Sequence, residues 1–308
     1  MKFNSFDELM GLVAGKTNRI AVPGANNEEV LEACKMGVDH NLISGGILIG
    51  PAAQVKEIAG KVGLPLKNFE IIDMTETVAM CNEAVDLVKE GQGDFLVKGL
   101  VDTKYYMKAI LRKEVGAVEE GTVLSHFVLF ESANYKKMFA LTDAAIMIQP
   151  TLEQKSKIVR NSVNMMRMLG VETPKVSVIC PVEKANSQIQ STLDAVELSN
   201  MSRDGRISHA VVEGPYDVYI TFSRKLADEK GVKGGVVPGE ADIVLLSDLD
   251  AANAMYKTLS FFGAGVKLAG LVAGANIPMI LPSRTDSPLT KLHSIALACF
   301  LKDAKVPA

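Results

Sequence analysis

The sequence predicts an α/β fold of two domains with mainly parallel sheets, and three observations carry that expectation. Short apolar, β-branched runs alternate with helical patterns along nearly the whole chain. The strand-like runs are continuous rather than alternating, as burial of both faces of a parallel sheet requires. The 308 residues, 48% of them hydrophobic, supply apolar material for one large core or two medium ones, and at this length two domains are expected.

Residues 19–22 read as the first strand, followed by a helix capped at Asn26 or Asn27. Runs at 46–49, 69–72 and 94–97 read as the next strands, leading into helices over 52–62, 76–90 and 102–115. The rhythm changes at 123–130 and 138–148, where two apolar runs with little helix between them suggest an antiparallel pair. Alternation resumes with helix 152–169, strand 176–180, helix 187–200 and strand 210–212. Strand 243–246, helix 251–262 and strand 268–272 follow, and strand 279–281 with helix 288–302 closes the chain. No Pro/Ser-rich linker, repeat or low-complexity segment interrupts this order.

Composition excludes several function classes. With 33 basic and 36 acidic residues, a net charge of -3, no basic patch and no Trp, nucleic acid is not an expected partner. No run approaches the roughly 20 apolar residues of a membrane helix, and Asp7 and Glu8 interrupt the N-terminal apolar positions, so neither a membrane span nor a signal peptide is expected. Cys34, Cys81, Cys180 and Cys299 are far apart and form no C-x-x-C pair, which predicts reduced, mostly buried thiols in a cytoplasmic protein. The four histidines are scattered, and no metal site is legible.

The sharpest local signal is Pro282-Ser283-Arg284-Thr285-Asp286-Ser287-Pro288, between a strand and a helix. Ser287 suits the N-cap and Pro288 the first helical position, so the loop points at the positive end of a helix and adds a guanidinium and hydroxyls. That combination makes an anion site; ordinary capping with a surface arginine is the competing reading. Lys98-Gly-Leu-Val-Asp-Thr103 has the same layout, either a capping turn or a lysine facing an anion at a strand end. Asp143, between two apolar runs, is either a buried functional carboxylate or a turn residue. Cys180 has no adjacent His or Lys to activate it and reads as a core thiol. The glycine-rich stretch 231–239 is neither G-x-G-x-x-G nor a P-loop and reads as an ordered loop.

Taken in order, these segments resemble the phosphate acetyltransferase and phosphate butyryltransferase family, in wording closest to the butyryl branch. The resemblance includes Lys98-Gly-Leu-Val-Asp-Thr103, Lys113-Glu-Val-Gly116, Leu124-Ser-His126, Leu141-Thr-Asp-Ala-Ala145 and Cys180-Pro-Val-Glu183. It continues through Gln190-Ser-Thr192, Ala251-Ala-Asn253, Met255-Tyr-Lys-Thr-Leu259, Ser283-Arg-Thr-Asp-Ser287 and Ser294-Ile-Ala-Leu-Ala298.

The resemblance implies a first α/β domain of residues 1–124 with 275–308 and a second of 125–274, similar to isocitrate and isopropylmalate dehydrogenases, with an active-site cleft between them. It implies reversible transfer of an acyl group between coenzyme A and phosphate through a ternary complex, with coenzyme A as substrate and no cofactor, in a homodimer or larger homo-oligomer. Acyl-CoA, CoA, phosphate and acyl phosphate are the expected partners, with no nucleic acid and no membrane. Ser283, Arg284 and Asp286 are the implied catalytic residues: Arg284 grips phosphate and Ser283 donates to the developing oxyanion or leaving group. Lys98, Gly99, Asp102, Thr103, Ser125, His126, Thr142, Asp143, Gly274 and Ser287 are the implied substrate-binding set.

Two positions depart from the family pattern. Where the acetyl branch has an Asp seven residues after the Ser, this chain has Thr290, which is no base near neutral pH; CoA then enters as thiolate, or Asp286 or Asp143 serves. Where the butyryl branch has an Asp after Gly-Pro, this chain has Tyr219, with Asp217 two residues earlier. The rival expectations are a nicotinamide-dependent dehydrogenase, for which Asp248-Leu249-Asp250 has the wrong spacing, and a non-catalytic paralogue that binds CoA or acyl phosphate.

Overall fold

Continuous apolar strands need cover on both faces, and the chain supplies it by following most strands with a helix. The computed structural model describes residues 1–283 and 285–307. In chain order the elements are α1 (Phe6–Val13), β1 (Asn18–Pro23), α2 (Glu28–Asp39), β2 (Ile43–Gly50), α3 (Ala52–Val62), β3 (Phe69–Asp73), α4 (Thr77–Lys89), β4 (Phe95–Val97) and α5 (Thr103–Ile110). Next come β5 (Ser125–Glu131), β6 (Phe139–Thr142), α6 (Leu152–Met168), β7 (Lys175–Ile179), α7 (Gln190–Arg203), β8 (Val211–Tyr216), α8 (Val218–Phe222) and α9 (Arg224–Glu229). The chain ends with β9 (Ile243–Leu245), α10 (Leu249–Phe262), β10 (Lys267–Ala273), β11 (Met279–Ile280) and α11 (Pro288–Lys302).

The chain divides into two compact units. One comprises residues 5–122 and 269–304; the other comprises 1–4, 123–268 and the C-terminal residues from 305. In the first unit the strand order is β3-β2-β1-β4-β11-β10, with β10 and β11 antiparallel and the other neighbours parallel. In the second the order is β5-β6-β9-β7-β8, with β5 and β6 antiparallel and the rest parallel. The α/β class with mainly parallel strands is therefore the one observed. A division at 274/275 leaves β10 with the second domain, whereas its ladder ties Leu271 to Ile280 and Val272 to Met279 of β11.

The first unit's core is Ile20, Ala21 and Val22 of β1, Ile47, Leu48 and Ile49 of β2, and Phe95, Leu96 and Val97 of β4, covered by α11. Helix α1, which the sequence reading left without an element, buries Phe6, Leu9 and Val13, and Phe6 stacks on His293 of α11 at 4.4 Å. Side chains buried this fully contribute about 1.5–3 kcal/mol each. In the second unit Val128, Phe130, Phe139, Leu141, Val244 and Tyr256 form the core, with Phe130 and Phe139 stacked at 5.3 Å.

Two boundaries differ from expectation for identifiable reasons. The apolar run 138–148 stays a strand only to Thr142, because the Asp143 carboxylate accepts the amides of Ala145, Ile146 and Met147 and turns the chain. The loop 231–239 is pinned by Glu213, whose carboxylate accepts the Val236 and Val237 amides, each at 3.1 Å. Among the described residues no helix is long and apolar enough to cross a membrane.

Candidate active site

In the first unit, the loops after β1, β4 and β11 converge. The Gly99 amide donates to the Pro23 carbonyl at 3.1 Å and the Leu100 amide to the Gly24 carbonyl at 2.7 Å. This approach leaves no room for a side chain: a Cβ on Gly99 would sit 2.2 Å from the Gly24 oxygen, and Gly24 also has φ +71. Asp102 then caps α5, its carboxylate accepting the Lys104 amide at 2.8 Å, so Thr103 begins the helix.

The loop after β11 is tied back on itself. Asp286, 8% exposed, accepts the Ser283 amide at 2.7 Å, and Ser287 caps α11 by accepting the Thr290 amide at 3.1 Å, with Pro288 in the first turn. The Ser283 and Thr285 hydroxyls lie 3.1 Å apart, as do those of Ser287 and Thr290. Arg284 lies outside the described residues. One turn into α11, Lys291 is only 3% exposed and donates to the Asp286 carbonyl. Lys98, at 5% exposure, ends β4. Asn27, Lys98, Gly99, Leu100, Pro282, Ser283 and Lys291 line a cavity of about 20 Å³. Burial lowers the Lys291 pKa, while the nearby Asp286 and Glu29 charges pull it back up. Gly274, which follows β10, holds φ +95.

In the second unit Ser125, His126, Thr142 and Asp143 are all buried. The Asp143 carboxylate accepts the amides of His126 at 3.0 Å, Ala145 at 3.0 Å, Ile146 at 3.1 Å and Met147 at 3.0 Å. Burial pushes this carboxyl above the usual range, and the four amides pull against that rise. With both oxygens engaged by backbone, Asp143 has the bonding of a turn-setting residue. The Ser125 hydroxyl accepts from Asn161 at 3.1 Å, and the His126 ring meets Tyr256 edge-on at 6.1 Å.

Two depressions open at strand ends of this second unit. One of about 620 Å³ is lined by the first residues of α6 and α7 and by Ser247 and Asp248 ahead of α10. At its wall Lys155 and Asp194 form a buried ion pair at 2.7 Å, with Gln190 donating to Asp194 at 2.8 Å. The other, of about 360 Å³, is mainly apolar and includes Ile179, Pro181, Val218, Tyr219, Leu246 and Ala251. Cys180 lines it too, but its thiol donates to the Ser191 carbonyl, and burial pushes its pKa to about 11. Tyr219, which replaces the butyryl-branch Asp, is 63% exposed.

The structure thus brings Lys98, Gly99 and Ser283 to one cavity and clusters Ser125, His126, Thr142 and Asp143 in the other unit. Sequence reasoning missed Lys291 and gave Asn27 only a capping role. A signal for Lys291 existed: a lysine at the fourth position of a capped helix faces the positive end of the dipole, a placement that favours a nearby anion. Among the described residues no three His, Cys, Asp or Glu side chains cluster as metal ligands.

An α/β sheet with a lysine- and hydroxyl-bearing cavity at its strand-to-helix loops has the layout that suits an anion. Residues 76–299 match the model of the phosphate acetyl/butaryl transferase family, and the chain belongs to that family of transferases. It is 41% identical to phosphate butyryltransferase of Clostridium beijerinckii, over 96% of this chain and 97% of that one. It is 34% identical to phosphate acetyltransferase of Thermotoga maritima, over 95% of this chain and 98% of that one. Among solved structures, a branched-chain phosphotransacylase from Enterococcus faecalis superposes with a TM-score of 0.81 at 27% identity, covering 94% of this chain and 100% of that one. A 4-hydroxythreonine-4-phosphate dehydrogenase from Klebsiella pneumoniae shares the fold at a TM-score of 0.58 and 12% identity.

Proposed function

We propose that the protein moves a short acyl group, butyryl or one of similar size, reversibly between coenzyme A and inorganic phosphate. The observation that carries this reading is the cavity shared by Lys98, Ser283 and Lys291, in a chain 41% identical to a phosphate butyryltransferase along nearly its whole length. Toward acyl phosphate, a phosphate oxygen attacks the thioester carbonyl carbon, an oxyanion forms, the C–S bond breaks and CoA leaves as the thiolate. In reverse, the CoA thiolate attacks the acyl phosphate and phosphate leaves.

Arg284 grips the phosphate through charge-assisted hydrogen bonds, and Ser283 donates to the oxyanion, which gains charge only as the transition state forms. Lys98 adds a second cation. Asp286 fixes the Ser283 amide and so holds the loop in shape. Gly99, Asp102, Thr103, Gly274 and Ser287 shape the substrate loops of the first unit, and Ser125, His126, Thr142 and Asp143 those of the second. Transfer is direct, in a ternary complex, and the buried Cys180 thiol with its raised pKa does not favour an acyl-enzyme at that residue. Coenzyme A takes part as a substrate, and no metal or prosthetic group enters this reading. The protein works in the cytoplasm as a homodimer or larger homo-oligomer.

The test is CoA release across acetyl-, propionyl-, butyryl-, isobutyryl- and valeryl-CoA with phosphate varied. Four-carbon substrates should give the highest kcat/KM. CoA binding without turnover on any of them would establish the non-catalytic reading instead.

A further inference from the structure

We propose that Lys291 is a phosphate-binding residue, seating one phosphoryl oxygen in the cavity it shares with Lys98 and Ser283. The identity of the anion rests on the transferase reading above; the site itself rests on geometry.

A cavity of about 20 Å³ holds roughly one water-sized group. It therefore admits a single oxygen of a tetrahedral anion, leaving the rest of the group at the mouth, where Ser283 is half-buried. Its lining is polar and apolar in about equal measure, and Asn27, Lys98, Ser283 and Lys291 are among the residues that form it. Two lysines beside one small cavity favour a negative charge in it. An anionic oxygen is the ligand such a lining selects.

Lys291 is buried at a position where a helix disfavours a cation, since α11 begins at Pro288 and the dipole is positive there. Among the described residues its ammonium donates to the carbonyl of Asp286 and not to a carboxylate. Burial lowers its pKa, so an anion brought to it favours the charged form. The charged groups facing it are Asp286, Glu29 and Lys98. Asp286 directs a carboxylate oxygen to the Ser283 amide, and its charge, with that of Glu29, acts on the Lys291 ammonium.

A purely structural role competes with this one: Lys291 holding the loop through the Asp286 carbonyl. Two replacements separate them. Lys291→Gln keeps a donor for that carbonyl and removes the charge; Lys291→Met removes both. Each variant is assayed for phosphate and butyryl-CoA kinetics and melted with and without saturating inorganic phosphate. If Lys291 binds phosphate, both variants raise KM for phosphate about 10-fold or more and shift KM for butyryl-CoA little. Both also lose the phosphate-induced rise in Tm, about 3 °C in the wild type. A folded Lys291→Gln with wild-type phosphate KM and wild-type Tm rise overturns the proposal, whether or not Lys291→Met folds. Should the wild type release no CoA from any acyl-CoA yet gain Tm with phosphate, with that gain lost in Lys291→Gln, the anion seat stands and the transferase reading fails.

Discussion

Lys291 and Lys155 are both lysines on long helices, both buried, and both line a cavity at strand ends. They differ in what neutralises them. Lys155 meets the Asp194 carboxylate at 2.7 Å, and Gln190 occupies that carboxylate's other oxygen. Lys291 donates to a backbone carbonyl. The first arrangement spends the charge inside the protein and leaves a depression defined by size and shape. The second holds the ammonium on a backbone carbonyl, the arrangement on which the proposed phosphate seat rests. Burial of a lysine alone does not mark function; the nature of its partner does.

The largest expected effect breaks the internal pair. Asp194→Ala leaves Lys155 buried without its counter-charge and should cost about 3–5 kcal/mol, read as a fall in urea midpoint. Replacing both, Lys155→Met with Asp194→Leu, should recover most of that loss, while the phosphate KM of folded protein stays unchanged. A phosphate KM that tracks the Asp194 change would erase the distinction between the two lysines.

Next comes Arg284, the residue proposed to grip phosphate. Arg284→Gln should lower kcat/KM roughly 10²-fold or more, on the order of 3 kcal/mol, with the loss concentrated in phosphate dependence and the melt unchanged. Arg284→Lys should recover little if the guanidinium binds in bidentate fashion.

The smallest effect concerns buried groups that stay neutral. Burial raises the pKa of Cys81 and Cys180 to about 11 and of Cys34 and Cys299 to about 12. These folded values lie above the roughly 8.5 of an unfolded thiol, so the native state holds its protons longer. Their contribution is complete below about pH 8.5 and is lost as pH rises toward 11–12, at most about 1.4 kcal/mol per thiol per pH unit. Urea melts from pH 8 to 10 should show stability falling, and single Cys→Ala variants should flatten that slope. A stability that rises over this interval would contradict the buried placement of the thiols.

Much of the fold was legible because the physics is local. Strands buried on both faces read as apolar runs, and Ser287-Pro288 marked the start of α11, whose span matches the sequence reading at both ends. The antiparallel pair of β5 and β6 was legible from the missing helix between two apolar runs. The end of β6 was not, because hydropathy continues past Thr142 while the Asp143 hydrogen bonds turn the backbone. Helix α1 is short, and its apolar positions make sense only against α11, far along the chain. In the candidate site, the loops carrying Lys98 and Ser283 were legible as strand-to-helix turns. Their meeting depends on β11 pairing in parallel with β4 from far along the chain, which no local pattern encodes. Lys291 was hidden because a lysine on a helix reads as solvated until packing shows where it points.

The central claim is acyl transfer to phosphate, and the most direct measurement is the product balance from butyryl-CoA at varied phosphate. CoA should appear only when phosphate is present, saturating with phosphate concentration and matched one for one by butyryl phosphate. CoA release at the same rate without phosphate, with free butyrate as the product, would contradict the account and make the protein a thioesterase.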